Sequence, residues 1–437
     1  MSLPARLLSV LSPWRSASAW RVALSGGVDS TVLLHLLASL ARTEALPPLS
    51  AIHVQHGLQA VAAAWPEHCR RLCDELGVPL QVLEVRVDAG ASLERAAREA
   101  RYAALAGCLE EGELLLLAQH RDDQAETLLF RLLRGAGVRG LAGIPASRPL
   151  GRGTLLRPLL DCSRAELEAY AHAHGLDWVE DPSNADTRLD RNYLRHCIFP
   201  ALHARWPDAA ASLARAAGHL REAQELLDEL AEQDLEAARS ASPWPWLALP
   251  SLTLEPLARL SPARQRNALR RWLAAYTRMP DSAHWAGWQA LRDAAADACP
   301  VWRLEGGELH RAVGRLWWLS GDWLVQPVAP VPWAEPGQPL VLPGNGEVWL
   351  QGRAPSGGLE IRYRQGGEVL QIPGRGHRDL KRLLNEAGLP AFLRGRLPLL
   401  YQADSLLAVA NLPLPAPPGG EVLRLHWQAP TSDQGLS

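Results

Sequence analysis

The first half of the chain alternates between short apolar runs and longer segments whose apolar residues return every three or four positions. Runs at 22–24, 50–54, 80–85, 113–119 and 154–160 have the length of buried strands. The segments 29–37, 61–76, 92–109, 122–134 and 163–175 carry helical spacing, the last opening on Ser163 as a cap and closing at Gly175. Strands that alternate with helices predict an α/β domain, a doubly wound parallel sheet with helices on both faces. Ligands of such a sheet sit at the carboxyl ends of its strands, so the polar residues there carry the functional information.

Beyond this domain the pattern changes. An amphipathic stretch at 209–239, with Leu213, Leu220, Leu226, Leu227 and Leu230, predicts a long connecting helix. Ser242-Pro243-Trp244-Pro245-Trp246 marks a boundary, and 247–323 holds a helix near 264–276 and strand-like text at 311–323. Its tryptophans are spaced as core residues rather than as a stacking platform. The expected organisation is a catalytic domain at 1–208, a mostly helical middle domain at 209–325, a proline-rich linker at 326–358 and a small α+β domain at 359–437.

The chemistry concentrates first at the turn after the first strand. Gly26 and Gly27 let the backbone approach a ligand, and the N–H groups of the turn and of the following helix converge where the helix dipole favours an anion. A phosphate fits there, but no lysine stands in the loop, so positive charge must come from a metal ion or from arginines elsewhere. Asp29 is unfavourable beside phosphates unless it holds Mg²⁺. The second strand ends in HVQHGL, with His56, and the fourth in QHRDDQAE. Asp123 and Glu126, three apart in a first helical turn, share a face and suit a metal or an amine, whereas Asp122 reads as a partner of the helix dipole. A glycine-rich segment follows, and its Arg134 and Arg139 suit contact with phosphates. Polar residues then crowd 180–184 and 190–195 more densely than a turn requires.

With 437 residues and 47% hydrophobic content, the chain has core enough for two to four domains. A net charge of −2 excludes a global basic field, so a nucleic-acid partner must be held by local patches. The last module supplies one, with Arg362, Arg364, Arg375, His377, Arg378, Lys381, Arg382, Arg394 and Arg396; Lys381 is the only lysine in the sequence. Six cysteines are too sparse for a disulfide framework, and Cys69 and Cys73, one helical turn apart, read as packing residues rather than metal ligands. No run reaches transmembrane length, and Pro4, Arg6, Pro13 and Arg15 interrupt the leader, so no membrane partner and a cytoplasmic location are expected.

The string SGGVDS at 25–30 resembles the pyrophosphate-loop signature of the ATP pyrophosphatases. SGGVDS, HGL, REARY at 98–102, AQHRDDQAET, the RGAG loop, RPLL, EDPSN and DRNYLR follow the order and spacing of the tRNA(Ile)-lysidine synthases from Ser25 to about Pro207. GRGHRDLKRLLNEAGLPAFLRGRLPLLY resembles the C-terminal domain of their larger members; Gln59 and Arg121 are small departures.

The resemblance implies a pyrophosphate-loop, Rossmann-like first domain and an ATP-dependent ligase. Its substrates would be free L-lysine and the wobble cytidine of a tRNA(Ile) with a CAU anticodon. O2 of the cytosine is first adenylated, the lysine ε-amine then attacks C2, and AMP leaves. Ser25, Gly26, Gly27, Val28, Asp29 and Ser30, with His56 and Arg101, are the expected nucleotide contacts, and Asp29 the Mg²⁺ ligand. Asp123 and Glu126 would attract the lysine ammonium and help remove its proton, while Arg191, His120 and Arg101 offset charge at the α-phosphate. Arg134, Arg139, Arg375, Arg378, Lys381 and Arg382 are the expected tRNA contacts. The oligomeric state is open, a homodimer being one arrangement the sequence permits. A tRNA thiolase with the same loop and a non-catalytic nucleotide-binding regulator are the alternatives. The first needs cysteines at strand ends, and the second leaves Asp29, Asp123 and Glu126 without a purpose.

Overall fold

The computed structural model describes residues 1–55, 64–86, 93–278, 284–295, 298–372, 376–412 and 423–431. The chain divides into two compact units, Met1–Glu225 and Leu226–Ser437.

In the first unit, helix α1 (Leu3–Leu11) precedes an alternation of β1 (Trp20–Ala23), α2 (Val28–Leu40), β2 (Leu49–Gln55), α3 (Trp65–Leu76), β3 (Leu80–Glu84), α4 (Leu93–Gly107), β4 (Leu114–Leu116) and α5 (Arg121–Leu133). A short α6 (Val138–Leu141), the hairpin β5 (Ser147–Leu150) and β6 (Gly153–Leu156), and α7 (Arg164–Ala173) follow. The sheet order is β3-β2-β1-β4-β6-β5, and every pairing is parallel except β5 with β6. The sequence pattern does not mark the antiparallel β5, because Arg148 and Pro149 interrupt its apolar text, which an edge strand tolerates.

Side chains alternate between the faces. Val22, Leu114 and Leu116 pack under α1, α2, α3 and α7, while Ile52, Leu115 and Leu155 pack under Leu105 of α4. Covered on both sides, β4 is three leucines with no polar residue. The order reverses at β1, whose neighbours are β2 on one side and β4 on the other. This switch point opens a crevice at the carboxyl ends of β1 and β4.

The last turns of this unit are α8 (Asp190–Tyr193), a wider π-helical turn over Leu194–Ile198, α9 (Phe199–Arg205) and the first half of α10 (Ala209–Ala238). In the second unit, β7 (Ser251–Thr253), α11 (Leu254–Ala258), α12 (Pro262–Leu273) and α13 (Trp285–Asp293) precede β8 (Val301–Leu304), β9 (Gly307–Ala312) and β10 (Arg315–Ser320). Here β7-β10-β9-β8 form an antiparallel sheet beside the helices. Trp317 and Trp318, adjacent on β10, point into two different cores. Trp318 joins Trp272, Trp285, Trp288 and Trp302, whereas Trp317 joins residues that run on to Trp427.

The segment expected as a linker carries β11 (Val331–Trp333), β12 (Leu340–Val341) and β13 (Glu347–Gln351). They pair with β14 (Leu359–Arg362) and with the last strand, so these prolines border a sheet rather than space two domains. Pro332 sits on β11 at a sheet edge, where a missing N–H costs no ladder bond. The chain continues through β15 (Val369–Ile372), β16 (Gly376–Asp379), α14 (Leu380–Glu386), α15 (Ala391–Arg394), β17 (Leu399–Gln402), β18 (Ser405–Val409) and β19 (Arg424–Gln428). None of the described helices is long and apolar enough to cross a membrane.

Candidate active site

The turn between β1 and α2 is held open by its own hydroxyls. The Ser25 N–H donates to Ser30 Oγ at 3.2 Å, the two serine hydroxyls lie 3.0 Å apart, and Ser30 Oγ donates to the Gly27 carbonyl at 3.0 Å. Gly26 has φ of 88°, and a Cβ there would stand 2.9 Å from Val179 Cγ2 and 3.3 Å from Cys69 Sγ. The turn is closed from behind by Val179, whose N–H donates to the Gly26 carbonyl at 2.9 Å. Val28 and Ser30 are buried, and Ser25 is exposed. The loop therefore gathers backbone N–H groups at a helix start, those of Ser25 and Gly27 held by the hydroxyls of Ser30 and Ser25 at 3.2 and 3.3 Å, a geometry that suits an anion cradle.

Across the crevice, α5 begins one residue earlier than its sequence pattern suggests, with His120 as its cap. That shift puts Asp123 at the third helical position, where its Oδ2 accepts the His120 N–H at 3.0 Å. The buried His120 ring gathers three acids: Nε2 is 3.6 Å from both Asp29 and Asp123, and Nδ1 is 3.7 Å from Asp122. Burial alone would depress its pKa, but Asp29, Asp123 and Asp122 outweigh it and raise the imidazole above its ordinary value. Asp122, expected to serve only the helix dipole, also accepts the Arg164 N–H at 2.9 Å.

Glu126 is buried and already paired. Arg191 donates to it at 2.9 Å and to Asp123 at 2.8 Å; Arg195 donates to Glu126 at 2.7 and 2.9 Å. Burial works to raise the Asp123 pKa, yet His120, Arg191 and Arg195 hold it below the usual carboxylate range. Four carboxylates face two guanidiniums, so the cluster keeps two surplus negative charges, or one when His120 is protonated.

The EDPSN segment positions the arginines. Asp181 accepts the Ser183 N–H at 2.8 Å, and the Asn192 side chain donates to the carbonyls of Ser183 at 2.8 Å and Asp186 at 3.0 Å. The phosphate turn, Val179, EDPSN and the two arginines are thus one hydrogen-bonded train that ends on Asp123 and Glu126.

Domain by domain, the sequence matches a PP-loop domain at 2–202, a TilS substrate binding domain at 252–317 and a TilS substrate C-terminal domain at 359–428. It is 63% identical to the tRNA(Ile)-lysidine synthase of Pseudomonas aeruginosa, covering 100% of this chain and 99% of that one. It is also 39% identical to the Coxiella burnetii enzyme of the same name, over 93% of this chain and 92% of that one. The chain belongs to the tRNA(Ile)-lysidine synthase family. These are ATP-dependent ligases built on the PP-loop fold. Among solved structures, a U34-tRNA thiolase from Methanococcus maripaludis aligns with 50% of this chain and 78% of its own at a TM-score of 0.42 and 17% identity, too loosely to bear on activity.

Within the synthase-family site the structure brings together Ser25, Gly26, Gly27, Val28, Asp29 and Ser30 on one side and His120, Asp123, Glu126 and Arg191 on the other. Arg191, expected at the α-phosphate, is instead engaged by the two carboxylates. Arg101, expected at the nucleotide, lies on α4 with its guanidinium 5.9 Å from the centre of the Tyr102 ring. His56 and Arg375 fall outside the described residues. Arg134 stands over the Phe130 ring at 5.1 Å, and Arg139 is exposed on α6. Arg195 was missed, although its spacing of four from Arg191 signals a shared helix face.

In the C-terminal region the expected basic face is smaller than its sequence suggests. Arg396 is buried, donates to the carbonyls of Asp322, Val325 and Gly344, and lies 4.7 Å from the Trp323 ring. Arg362 pairs with Glu360, and Arg364 with Glu368. Arg378 belongs to β16, while Lys381 and Arg382 belong to α14; all three are exposed, Arg382 beside Glu386 at 3.0 Å.

The donor set fits a magnesium ion. Asp29 Oδ1 is buried without a hydrogen-bond partner beside the anion cradle. Among the described residues no three His, Cys, Asp or Glu side chains form a ready cage. One carboxylate plus substrate phosphates and water is how Mg²⁺ is commonly held.

Proposed function

We propose that this chain joins L-lysine to C2 of the wobble cytidine of a tRNA(Ile) bearing a CAU anticodon, through an ATP-derived adenylate, with release of pyrophosphate and AMP. The observation that carries the reading is the pairing of opposites across the switch point: an anion cradle on β1 faces a cluster with surplus negative charge on β4. Such a crevice suits a triphosphate and an ammonium side by side.

Ser25 to Ser30 bind the phosphates through backbone N–H groups, and Asp29 would hold their metal ion. Mg²⁺ held there would neutralise charge on the departing pyrophosphate. Asp123 and Glu126 attract the lysine ammonium. Arg191 and Arg195 hold those carboxylates in place, so the ammonium meets oriented acceptors rather than free ones. His120, whose ring nitrogens lie 3.6–3.7 Å from three acids, would pass a proton between them and the incoming amine. Exposed Arg378, Lys381 and Arg382 hold tRNA phosphates, and six free cysteines accord with a cytoplasmic location.

The thiolase alternative is disfavoured by the thiol beside the loop: burial pushes Cys69 up to about 12, where persulfide chemistry has no thiolate to use. Mass analysis of anticodon nucleosides after incubation with ATP, lysine and unmodified tRNA tests the proposal. A lysine adduct on cytidine that requires both small substrates is the expected result; sulfur incorporation, or no adduct, overturns it.

A further inference from the structure

Three arginines converge on one aromatic ring at the far side of the crevice. Arg98, Arg101 and Tyr102 lie at i, i+3 and i+4 on α4 and so share a face. Arg148 arrives from β5, brought there by the antiparallel hairpin. Their guanidinium carbons lie 5.3, 5.9 and 5.1 Å from the centre of the Tyr102 ring. Arg98 and Arg101 are exposed and Arg148 is half-buried.

Beneath them, at the carboxyl end of β6, Arg157 is buried and donates to the Gln119 side chain and, at 2.8 Å, to the Pro145 carbonyl. Burial lowers the Arg157 pKa; Tyr102 opposes that shift, and Arg148 and Arg98 add to it. Among the described residues, none of Arg98, Arg101 and Arg148 forms an ion pair. Glu99, the nearest acid in sequence, is taken by Arg95 at 2.8 Å. Some exposed arginines elsewhere in this unit do find acids, as Arg15 does in Glu44 and Arg188 in Asp186. Cation–π contact contributes about 0.5–1 kcal/mol for each exposed arginine, enough to orient the guanidiniums but not to neutralise them.

We infer that Arg98, Arg101 and Arg148, arrayed on Tyr102, form a binding site for the RNA phosphate backbone. This rests on the tRNA reading above and extends it to residues of the catalytic unit. A nucleotide phosphate has the same chemistry, but the topology separates the two. From β1 the sheet runs through β4 and β6 to β5, three strand spacings or about 14 Å, with the His120 cluster at the end of β4 in between. The cradle on β1 takes the nucleotide from one side. The arginine nest flanks the acceptor crevice on the other, where the strand carrying the reacting base must enter.

The test is the variant Arg98→Gln with Arg148→Gln, which leaves Arg101 and the phosphate turn intact. Its affinity for unmodified tRNA is measured by filter binding between 50 and 200 mM salt, and its affinity for ATP by calorimetry. Losing two phosphate contacts should reduce the slope of log K against log salt by roughly 1.4–1.8, so that added salt weakens the variant about tenfold less than the parent. ATP affinity should stay within about twofold, and Arg98→Lys with Arg148→Lys should restore the slope. An unchanged slope in a variant that still binds ATP overturns the nest. Lost ATP affinity with tRNA binding intact also overturns it, reassigning the arginines to the nucleotide. A parent chain that binds no tRNA overturns the reading beneath it instead.

Discussion

Replacing Glu126 by glutamine separates the anchoring of two arginines, which the structure shows, from the attraction of lysine, which is proposed above. Glu126 has 4% of its side chain exposed and accepts three charge-assisted hydrogen bonds, from Arg191 at 2.9 Å and from Arg195 at 2.7 and 2.9 Å. Removing one member of a buried pair costs about 3–5 kcal/mol. Arg191 and Arg195 keep Asp123 and are 39% and 24% exposed, so water compensates part of the loss and about 2–3 kcal/mol remains. For a unit of this size that lowers Tm by roughly 4–12 °C. The second role is electrostatic. Taking one of two surplus negative charges from an ammonium about 6 Å away weakens attraction by about 2–3 kcal/mol at an effective dielectric near 20. The KM for lysine should then rise roughly 30- to 150-fold while that for ATP stays within about twofold. Steady-state AMP release at saturating ATP and tRNA, with thermal melting of the same samples, reads both effects. If Tm falls but lysine and ATP weaken together, or if the lysine KM does not move, the carboxylate only anchors the arginines.

Asp29→Asn should lower turnover by about three orders of magnitude with little change in Tm, because Oδ1 has no partner and Oδ2 is only 3.6 Å from His120; a normal rate removes the metal role. Gly26→Ala should cost about 2 kcal/mol and most ATP affinity, since its φ of 88° and the 2.9 Å approach to Val179 oppose a Cβ. Adding Val179→Ala should recover only the steric share, and full recovery would refute the backbone argument. Thiol reagents should label exposed Cys197 and Cys299 first, and should reach Cys69, Cys73 and Cys162 only on unfolding, since burial pushes these thiols up to about 12, 11 and 12; peptide mass analysis of the folded chain would show otherwise. Charge reversal of Arg378, Lys381 and Arg382 should weaken tRNA binding and reduce its salt slope by roughly 2–3, and unchanged binding would make that face structural. Deleting the chain from Leu359 is not an equivalent test, because Leu359, Ile361 and Trp427 share a core with Trp317.

The sheet and the two turns that border its crevice are legible because both are local. Apolar runs of strand length mark β1 and β4, and the residues after them state their own turn and helix start. What escaped is what tertiary pairing decides. Helix α5 starts at Arg121 because the Asp123 carboxylate caps back onto His120, a contact that a window of propensities does not register. Arg191 reads as a free cation until Glu126, 65 positions away, is placed beside it. The proline-rich stretch reads as a spacer because strands of two to five residues carry almost no period, and only their partners β14 and β19 define them. Arg396 counts as surface charge by type, yet three carbonyls and a tryptophan ring give it a buried place.

The switch point also sets a schedule. While the chain is being made, β1 has β2 as its only neighbour, and its other edge stays unpaired until β4 leaves the ribosome. The phosphate turn gains its backing only with Val179, and Glu126 its arginines only with Arg195. At about 5–20 residues per second, the interval between Gly26 and Arg195 is roughly 8–35 s. Through that time the nascent unit holds a bare sheet edge and a set of acids without counter-charges, so its aggregation hazard and its window for chaperone binding fall between the synthesis of β1 and of the turn that carries Arg195.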